Sequence, residues 1–450
     1  MTTQAGTQEL FGVLPIPERA PAARAQSAAV ARVQWPNRLQ MEMRPVDLES
    51  LLPEDHKARI VWGYVERQDL SPLYARIKAV EGGVGRAPIA PEILLSLWLY
   101  ATLDGVGSAR ALARLCEAHD AYRWLCGGVG VNHHTLSDFR VGSGAFLDRL
   151  LTANVAALLS GGAVTMVRVA QDRMRVRADA GAASFRRKAR LQDCLAQAHA
   201  QVTALKREIE DDPDATNRRQ QAARERAVRE REQRIARALA RLPQVEQVKQ
   251  ANGEPADKAR VSTTDAQASV MKMADGGYRP AYNAQLATDT QTQVIVGVDM
   301  TPRGSDLGQL APMVEQLQAR YARRAQDMLV DGGFARLADI EQVAPDTRVY
   351  APVPKPKDER RDPHTPLPGD TAAVAQWRVR MGTDEAKTIY KERAATAECV
   401  NALARNRGLS RFNVRGLDKV KSVLLWFVLA HNLMRIAALA LAMVGTGWRA

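Results

Sequence analysis

Paired cysteines and the short motifs of the common hydrolases are both absent from this sequence. Its 450 residues include four cysteines, and none of them forms a C-x-x-C pair. This argues against a zinc ribbon or a disulfide scaffold and fits a reducing cytosol. The sequence also lacks a G-x-S-x-G nucleophile elbow, a Walker phosphate loop and any His/Cys cluster with zinc spacing. Serine hydrolases, P-loop NTPases and zinc enzymes are therefore poor interpretations.

Membrane signals are also scarce. No signal peptide is recognisable at the first residues. The one strongly apolar tract, residues 422–444, is long enough to span a bilayer but carries His431, Asn432 and Arg435 near its middle. We interpret it as a helix that covers the core, and we expect a cytoplasmic protein without a membrane partner.

Positive charge is abundant. The formal net charge is +13 and the sequence pI is about 9.8. Such a balance favours a polyanionic partner such as DNA or RNA. It is also compatible with an ordinary basic soluble protein, because net charge indicates partners and not chemistry.

The first third of the chain is predicted to be helical. Residues 1–43, with several prolines and little periodicity, predict a flexible leader. Residues 44–160 predict an all-α domain, in which 91–103 form a largely buried helix and Ser108 caps the next one. In N-H-H-T-L-S-D-F-R, at 132–140, Thr135 and Asp138 have the spacing of a capping box.

The helix that begins in this segment has two interpretations. It could be the second helix of a helix-turn-helix, with His134 and Arg140 as DNA contacts. A plain helical bundle fits the same pattern. We predict that the domain 44–160 binds DNA and leave its motif open.

From residue 161 to 450 the pattern changes to α/β. Residues 164–172 alternate and predict a strand that ends at Asp172, with 174–180 as its partner or continuation. Residues 282–288 and 292–301 predict a hairpin, Ser305-Asp306 a helix cap, and 326–333 a strand that ends at Asp331. The last strand is predicted at 348–352, and a long helix follows from 390 to near Gly408.

An insertion at about 184–250 interrupts this second domain. Apolar residues follow a heptad seam from Leu191 to Ile209 and again from Val228 to Leu242, which predicts an antiparallel helical hairpin. Its many arginines are interleaved with glutamates. They could contact DNA phosphates or form a solvated, ion-paired face, and the seam could also join two copies of the chain.

Three acids on separate predicted elements, Asp172, Asp331 and Glu398, are the candidate catalytic residues. Acids at strand ends collect at one edge of a sheet, and a helix can bring a third beside them. Carboxylates that lie close together repel each other. Binding of Mg²⁺ or Mn²⁺ relieves that repulsion, because these ions prefer carboxylate oxygens as ligands. The alternatives are a turn role for each Asp and an ordinary ion pair for Glu398. The rival acids are Glu392, Asp179, Asp327 and Asp265.

Seven short segments, in this order along the chain, resemble the bacterial insertion-sequence transposases of the DDE type. The first four segments are H-H-T-L-S-D-F-R at 133–140, Q-D at 171–172, S-T-T-D-A-Q-A at 262–268 and G-Y-R-P-A-Y-N-A-Q-L-A at 277–287. The last three are L-V-D-G-G-F at 329–334, Y-K-E-R-A-A-T-A-E at 390–398 and R-G-L-S-R-F-N-V-R-G-L-D-K-V at 407–420. The aromatic residue and glycine usual after the Glu in that family are replaced here by C-V-N-A-L-A.

The resemblance implies an RNase H-like mixed sheet flanked by helices, with Asp172, Asp331 and Glu398 as ligands of two Mg²⁺ or Mn²⁺ ions. It also implies that Tyr390 and Arg393 lie near the DNA strand, and Arg405 keeps the charge of a lysine frequent at that position. The expected activity is metal-dependent cleavage and strand transfer at the terminal inverted repeats of a mobile element. The expected partners are double-stranded DNA and a second copy of the chain.

Two other functions are compatible with the sequence. One is a catalytically inactive, domesticated DNA-binding protein derived from such an enzyme. The other is a helical scaffold held together by the hairpin.

Overall fold

The computed structural model describes residues 47–79, 87–211, 218–356, 358 and 360–445, with positions 36, 39, 41 and 45 before them. The leader predicted for 1–43 therefore lies almost entirely outside the described residues. Residues 212–217, between the two helices of the predicted hairpin, also lie outside them.

Before residue 161, all regular elements of the described chain are helical, as predicted. They are α1 (Lys57–Val65), α2 (Ser71–Tyr74), α3 (Pro91–Leu103), α4 (Ala109–Ala118), α5 (Asp120–Cys126), α6 (His133–Gly142) and α7 (Gly144–Ser160). Pro91 occupies the first turn of α3, which is buried along almost its whole length. The Ser108 hydroxyl accepts a hydrogen bond from the amide of Ala111 and caps α4.

The cap of α6 differs from the prediction. Asn132 Oδ1 accepts from the amide of Thr135 at 2.9 Å, and the helix already begins at His133. Thr135 is thus inside the first turn, and the Thr135–Asp138 spacing does not form the cap. An asparagine side chain at this position satisfies an amide that otherwise has no helical partner.

The strands of the described chain are β1 (Arg168–Arg177), β2 (Phe185–Arg186), β3 (Val261–Ser262), β4 (Ser269–Lys272), β5 (Tyr278–Asp289), β6 (Ile295–Thr301), β7 (Asp327–Leu329) and β8 (Arg348–Tyr350). Strands β2 and β3 pair with each other in a small separate sheet, and the other six form a mixed sheet, in which β4 pairs antiparallel with the first residues of β5. In the described chain β1 pairs antiparallel with β5 and parallel with β7. Strand β6 pairs antiparallel with β5, and β8 pairs parallel with β7. The spatial order β6-β5-β1-β7-β8 is that of an RNase H-like sheet, so the predicted fold class is confirmed.

The predicted ends of two strands differ from the structure. Strand β1 does not stop at Asp172 but continues to Arg177, because its second half extends the same antiparallel ladder with β5. Of the two predicted alternatives for 174–180, the continuation of the first strand is therefore the one that is confirmed. Strand β7 ends at Leu329, and Asp331 follows it as the N-cap of a single 3₁₀ turn, Gly332–Phe334. Asp306 is not a helix cap either, since the helix after β6 begins only at Leu310.

The remaining helices pack around this sheet or extend from it. They are α8 (Lys188–Asp211), α9 (Arg218–Ala251), α10 (Leu310–Tyr321), α11 (Leu337–Val343), α12 (Ala372–Gly382), α13 (Asp384–Arg393), α14 (Cys399–Asn406) and α15 (Leu417–Gly445). A π-helical turn, Ala394–Glu398, separates α13 from α14, so the long helix predicted from 390 is interrupted.

Helices α8 and α9 form the predicted antiparallel hairpin. Arg224 contacts Glu208 at 3.0 Å and His199 contacts Glu232 at 3.0 Å, so the numbering runs in opposite directions along the two helices. The predicted seam is buried at Leu191, Ala198, Ile235 and Leu242. These apolar residues are therefore buried within a single chain. Several arginines of the hairpin pair with glutamates, namely Arg224, Arg229 and Arg234.

Helix α15 joins the N-terminal helices to the sheet. The Trp426 indole and the Ser422 hydroxyl both donate to the carbonyl of Arg140 in α6, and Asn432 bonds both backbone groups of Ile295 in β6. In the described chain, 417–440 is one helix with the length and hydropathy of a membrane span, but 61% of its apolar window is buried in the protein. This burial agrees with a core-covering helix.

Replacing Asn432 by alanine is expected to destabilise the fold by roughly 2–4 kcal/mol, because the N–H and C=O of Ile295 would stay buried without partners. Urea unfolding followed by circular dichroism measures the change. The control Asn406→Ala, at an exposed position in α14, should stay within about 0.5 kcal/mol of the wild type. Equal midpoints for the two variants would contradict the proposed role of Asn432.

His431 makes stability depend on pH. Burial lowers the pKa of His431 to about 4 from a usual value of 6.5. Between these values the unfolded chain binds the proton and the folded chain does not, so stability falls as the pH drops through this window. Relative to His431→Gln, the wild type should lose roughly 3 kcal/mol between pH 7 and pH 4. The exposed control His134→Gln should follow the wild type, and parallel curves for wild type and His431→Gln would refute the effect.

Candidate active site

The pairing of β1 with β7 brings Asp172 and Asp331 together. In this parallel ladder each β1 residue faces the β7 residue 159 positions later, as Arg168 faces Asp327. The same offset separates Asp172 from Asp331, although the ladder itself ends at Leu329. The two predicted acids therefore lie side by side at the point where β7 leaves the sheet.

Arg393, the last residue of α13, lies between the two carboxylates. Its Nη2 atom is 2.9 Å from Asp172 Oδ1 and 3.9 Å from Asp331 Oδ2. The Arg393 and Asp172 side chains are only 13% and 15% exposed, so this ion pair is shielded from water. Burial raises the pKa of Asp172, Arg393 opposes that rise, and Asp331 adds to it.

Tyr390 lies one helical turn before Arg393 and is close enough to Arg393, Asp172 and Asp331 for their charges to affect its pKa. Burial raises the pKa of the Tyr390 phenol, and both Asp172 and Asp331 raise it further. The tyrosine and arginine predicted to lie near the DNA strand are thus placed at the two aspartates.

Asn401 holds the other oxygen of Asp172. Its Nδ2 atom donates to Asp172 Oδ2 at 2.9 Å and also lies 3.3 Å from the carbonyl of Arg173. The sequence analysis did not single out Asn401, which belongs to the segment where the chain departs from the family pattern. The sequence does contain one signal that Asn401 belongs to the site: it lies three residues after Glu398 and therefore about one turn further along the same helix.

Glu398 ends the π-helical turn that follows Arg393. Along the helix Glu398 lies between Arg393 and Asn401, both of which contact Asp172. Its side chain is exposed and makes no hydrogen bond or ion pair with any described residue. Across the described chain, no three His, Cys, Asp or Glu side chains are grouped closely enough to hold one metal ion.

A second carboxylate lies near Asp331. The amide of Gly333 donates to Asp331 Oδ1 at 2.7 Å, and a Cβ atom at Gly333 would lie 2.9 Å from that oxygen and 3.4 Å from Asp306 Oδ2. Asp306 is fully buried and pairs with Arg173 of β1. The glycine therefore leaves room for two carboxylates, and neither Asp306 nor Arg173 was expected at this site.

The rival acids are engaged elsewhere. Asp327 pairs with Arg168 and Arg348, Glu392 with Arg168, Asp179 with Arg411 and Arg415, and Asp265 accepts hydrogen bonds from Tyr282. None of these partners contacts Asp172 or Asp331, so the rivals belong to separate structural pairs.

The other predicted DNA contacts are scattered. Arg405 and His134 are exposed. Arg140 is buried, donates to the carbonyl of Gly107 at 2.6 Å and stacks over the Trp98 ring at 4.6 Å. Arg140 therefore does not present its charge on the open face of α6, as a groove-reading helix would require.

The residues at Asp172 fit a divalent cation by their chemistry. Asp172 and Asp331 are oxygen donors, and burial, together with repulsion from Asp331, raises the pKa of Asp172; a hard cation prefers such ligands. Glu398, which is exposed and has no hydrogen bond or ion pair to a described residue, is a further oxygen donor on the helix that packs against Asp172.

Replacing Arg393 by glutamine should lower the stability at pH 7 by roughly 3 kcal/mol, because Asp172 would keep a buried charge without its counterion. The deficit should shrink as the pH falls, since protonation of Asp172 removes that charge. Thermal unfolding at several pH values measures both effects. Arg405→Gln, an exposed arginine of the adjoining helix α14, is the control, and equal loss in both variants would contradict the ion pair's importance.

Comparisons with known proteins match two parts of the chain. Residues 46–141 match the family model described as a Transposase domain (DUF772), and residues 250–433 match the Transposase DDE domain. Neither a curated protein nor a solved structure matches the chain. The two family models together span well over half of the sequence, in the order expected from the motifs, and the second contains Asp331, Tyr390, Arg393 and Glu398. The chain is a member of the insertion-sequence DDE transposases.

Proposed function

We propose that this chain is an active transposase that cuts the ends of its insertion sequence and joins them to target DNA. The observation that carries the proposal is the meeting of Asp172 and Asp331 around Arg393, with the helix of Glu398 held against Asp172 by Asn401. These residues come from three distant parts of the sequence, and carboxylates brought together in this way could serve as oxygen ligands of the divalent ions that assist phosphodiester chemistry.

The metal ligands in this proposal are Asp172, Asp331 and Glu398, with Mg²⁺ or Mn²⁺ as two bound ions. Such a pair of ions, when bound, activates a water or a 3′-hydroxyl and stabilises the leaving oxygen of a phosphodiester. Among the described residues Glu398 has no hydrogen-bond partner, so no such bond opposes its turning toward Asp172. Asn401 fixes the orientation of the Asp172 carboxylate, so one of its oxygens stays directed toward Arg393 and Asp331.

Arg393 has two roles in this proposal. In the protein alone it neutralises Asp172 and Asp331. With DNA bound, its planar guanidinium contacts a phosphate oxygen near the scissile bond, and Tyr390 supports its orientation from the preceding turn.

The partners of this activity are double-stranded terminal repeat DNA, target DNA and a second copy of the chain in the DNA complex. A net charge of +13 supports a polyanionic substrate. We place the protein in the bacterial cytoplasm, associated with the nucleoid. The hairpin of α8 and α9 uses its apolar seam internally, so a dimer would form through other surfaces.

A catalytically inactive DNA-binding descendant is the second candidate function. One observation favours it, since no three acids in the described chain are grouped around a common point. Loss of strand cleavage with retention of DNA binding would be its signature.

Cleavage of element-end DNA in Mg²⁺ tests the proposal. Asp331→Asn and Glu398→Gln should each lower the cleavage rate roughly a thousandfold, because several kcal/mol of transition-state stabilisation depend on the ions they hold. Glu392→Gln, which changes an acid six residues before Glu398 that pairs with Arg168, should cleave nearly as well as the wild type. Wild-type rates in Asp331→Asn, or a lack of cleavage by the wild type itself, would refute the proposed activity.

A further inference from the structure

A positively charged cleft lies outside the candidate active site. It has a volume of about 230 Å³ and is bounded by the loop 105–108 between α3 and α4, by Arg140 of α6 and by residues 407–413 after α14. Arg140, Arg407 and Arg411 line it, whereas its described lining contains no Asp or Glu. Positive charge is thus concentrated in a concave surface between the N-terminal helices and the segment that follows α14.

Arg140 forms part of the floor of the cleft and is 7% exposed. One of its nitrogens bonds the carbonyl of Gly107, but Nε is buried and has no hydrogen-bond partner among the described residues. Burial lowers the pKa of Arg140 to about 10, and no neighbouring carboxylate offsets this effect. A buried cation without a counterion is costly, so an anion in the cleft would stabilise it.

Arg407 is a second arginine in the lining of the cleft. It is half-buried, and its side chain makes no hydrogen bond or ion pair with a described residue. Burial lowers its pKa as well, again without an opposing carboxylate. Arg411 differs, since it pairs with Asp179 at 3.0 Å, and its charge is already compensated.

The shape of the cleft is fixed by close backbone contact. Gly408 has a positive φ of 88°, and a Cβ atom there would lie 3.4 Å from the carbonyl oxygen of Gly105. Gly105, Ser108, Gly408 and Asn413 are exposed at the mouth. The site is therefore open to a large ligand at its rim and has a buried arginine at its floor.

The cleft is also connected to the strand that carries Asp172. The amide of Phe412 donates to the carbonyl of Arg177, at the end of β1, at 2.8 Å. Arg177 is five residues beyond Asp172, a distance of about 17 Å along an extended strand. That length corresponds to about five base pairs along duplex DNA, so one bound duplex could reach both places.

We propose that Arg140 and Arg407 form a site for one backbone phosphate of the DNA substrate. This inference rests on the proposed DNA-processing function, and it assigns Arg140 to phosphate binding instead of base reading in a groove. A phosphate matches the site because its oxygens accept from several guanidinium donors at once. The contact holds the duplex without reading its sequence.

Binding of a fluorescent duplex of arbitrary sequence, measured by anisotropy in Ca²⁺ over a range of salt concentrations, tests the site. Arg407→Gln should weaken binding roughly tenfold, as expected for one charge-assisted contact, and should reduce the magnitude of the salt slope by about 0.9. Arg407→Lys should retain most of the slope because it keeps the charge. Arg323→Gln, an exposed arginine at the end of α10 with no ion pair to a described residue, is the matched control and should leave the slope unchanged.

A second measurement separates DNA phosphate from free phosphate. If excess inorganic phosphate raises the melting temperature of the wild type but not of Arg407→Gln, while both bind DNA equally, the cleft is a free-anion site and the proposal is overturned. Equal DNA binding and equal phosphate response in Arg407→Gln and Arg323→Gln would also overturn it. Because binding is measured without cleavage, Arg407-dependent binding in a protein that cuts no DNA would refute the proposed function and leave this site standing.

Discussion

The ion pair between Arg393 and Asp172 is the contact on which the candidate site depends. Asp172 is in the middle of β1, surrounded by sheet, and its carboxylate would be strongly disfavoured there without a partner. Arg393 and Asn401 supply one partner for each oxygen, and both come from the same run of helix. A single carboxylate thereby fixes the position of a helix that is more than two hundred residues away in the sequence.

The π-helical turn, Ala394–Glu398, sets the angle between Arg393 and Glu398 around the helix axis. With regular α-helical geometry, Arg393 and Glu398 would be about 140° apart around the axis, because five residues exceed one turn of 3.6. The wider turn reduces that angle, and at its end Glu398 is exposed while Arg393 and Asn401, on either side of it along the helix, contact Asp172. Such turns are common at functional sites, and here the turn coincides with the acid that the family pattern assigns to catalysis.

The N-terminal helices are tied to the same framework. Helix α15 donates hydrogen bonds from Ser422 and Trp426 to one carbonyl of α6 and holds β6 through Asn432. Its polar residues, which made it a poor membrane span in the sequence, are the ones that bond β6 and the turn before it. His431 and Arg435 bond the carbonyls of Gln293 and Thr292. The polar interruptions of this apolar helix thus have a structural cause.

The sequence by itself determined the mixed α/β class, the hairpin insertion and the positions of most helices, and its resemblance to a known family predicted Asp172, Asp331 and Glu398 as the site. Periodicity, glycine turns and spaced motifs are local properties, and they are readable without coordinates. The end of β1 was misplaced because a ladder with β5 prolongs it, and the role of Asp306 was missed because Arg173 reaches it from another strand. Only the tertiary structure decided that Asn401 holds Asp172, that Arg140 and Arg407 line one cleft, and that Glu398 is exposed without a hydrogen bond or ion pair to a described residue. Each of these depends on which distant segments pack together, and the free energy of that packing comes from long-range contacts that no window of sequence contains.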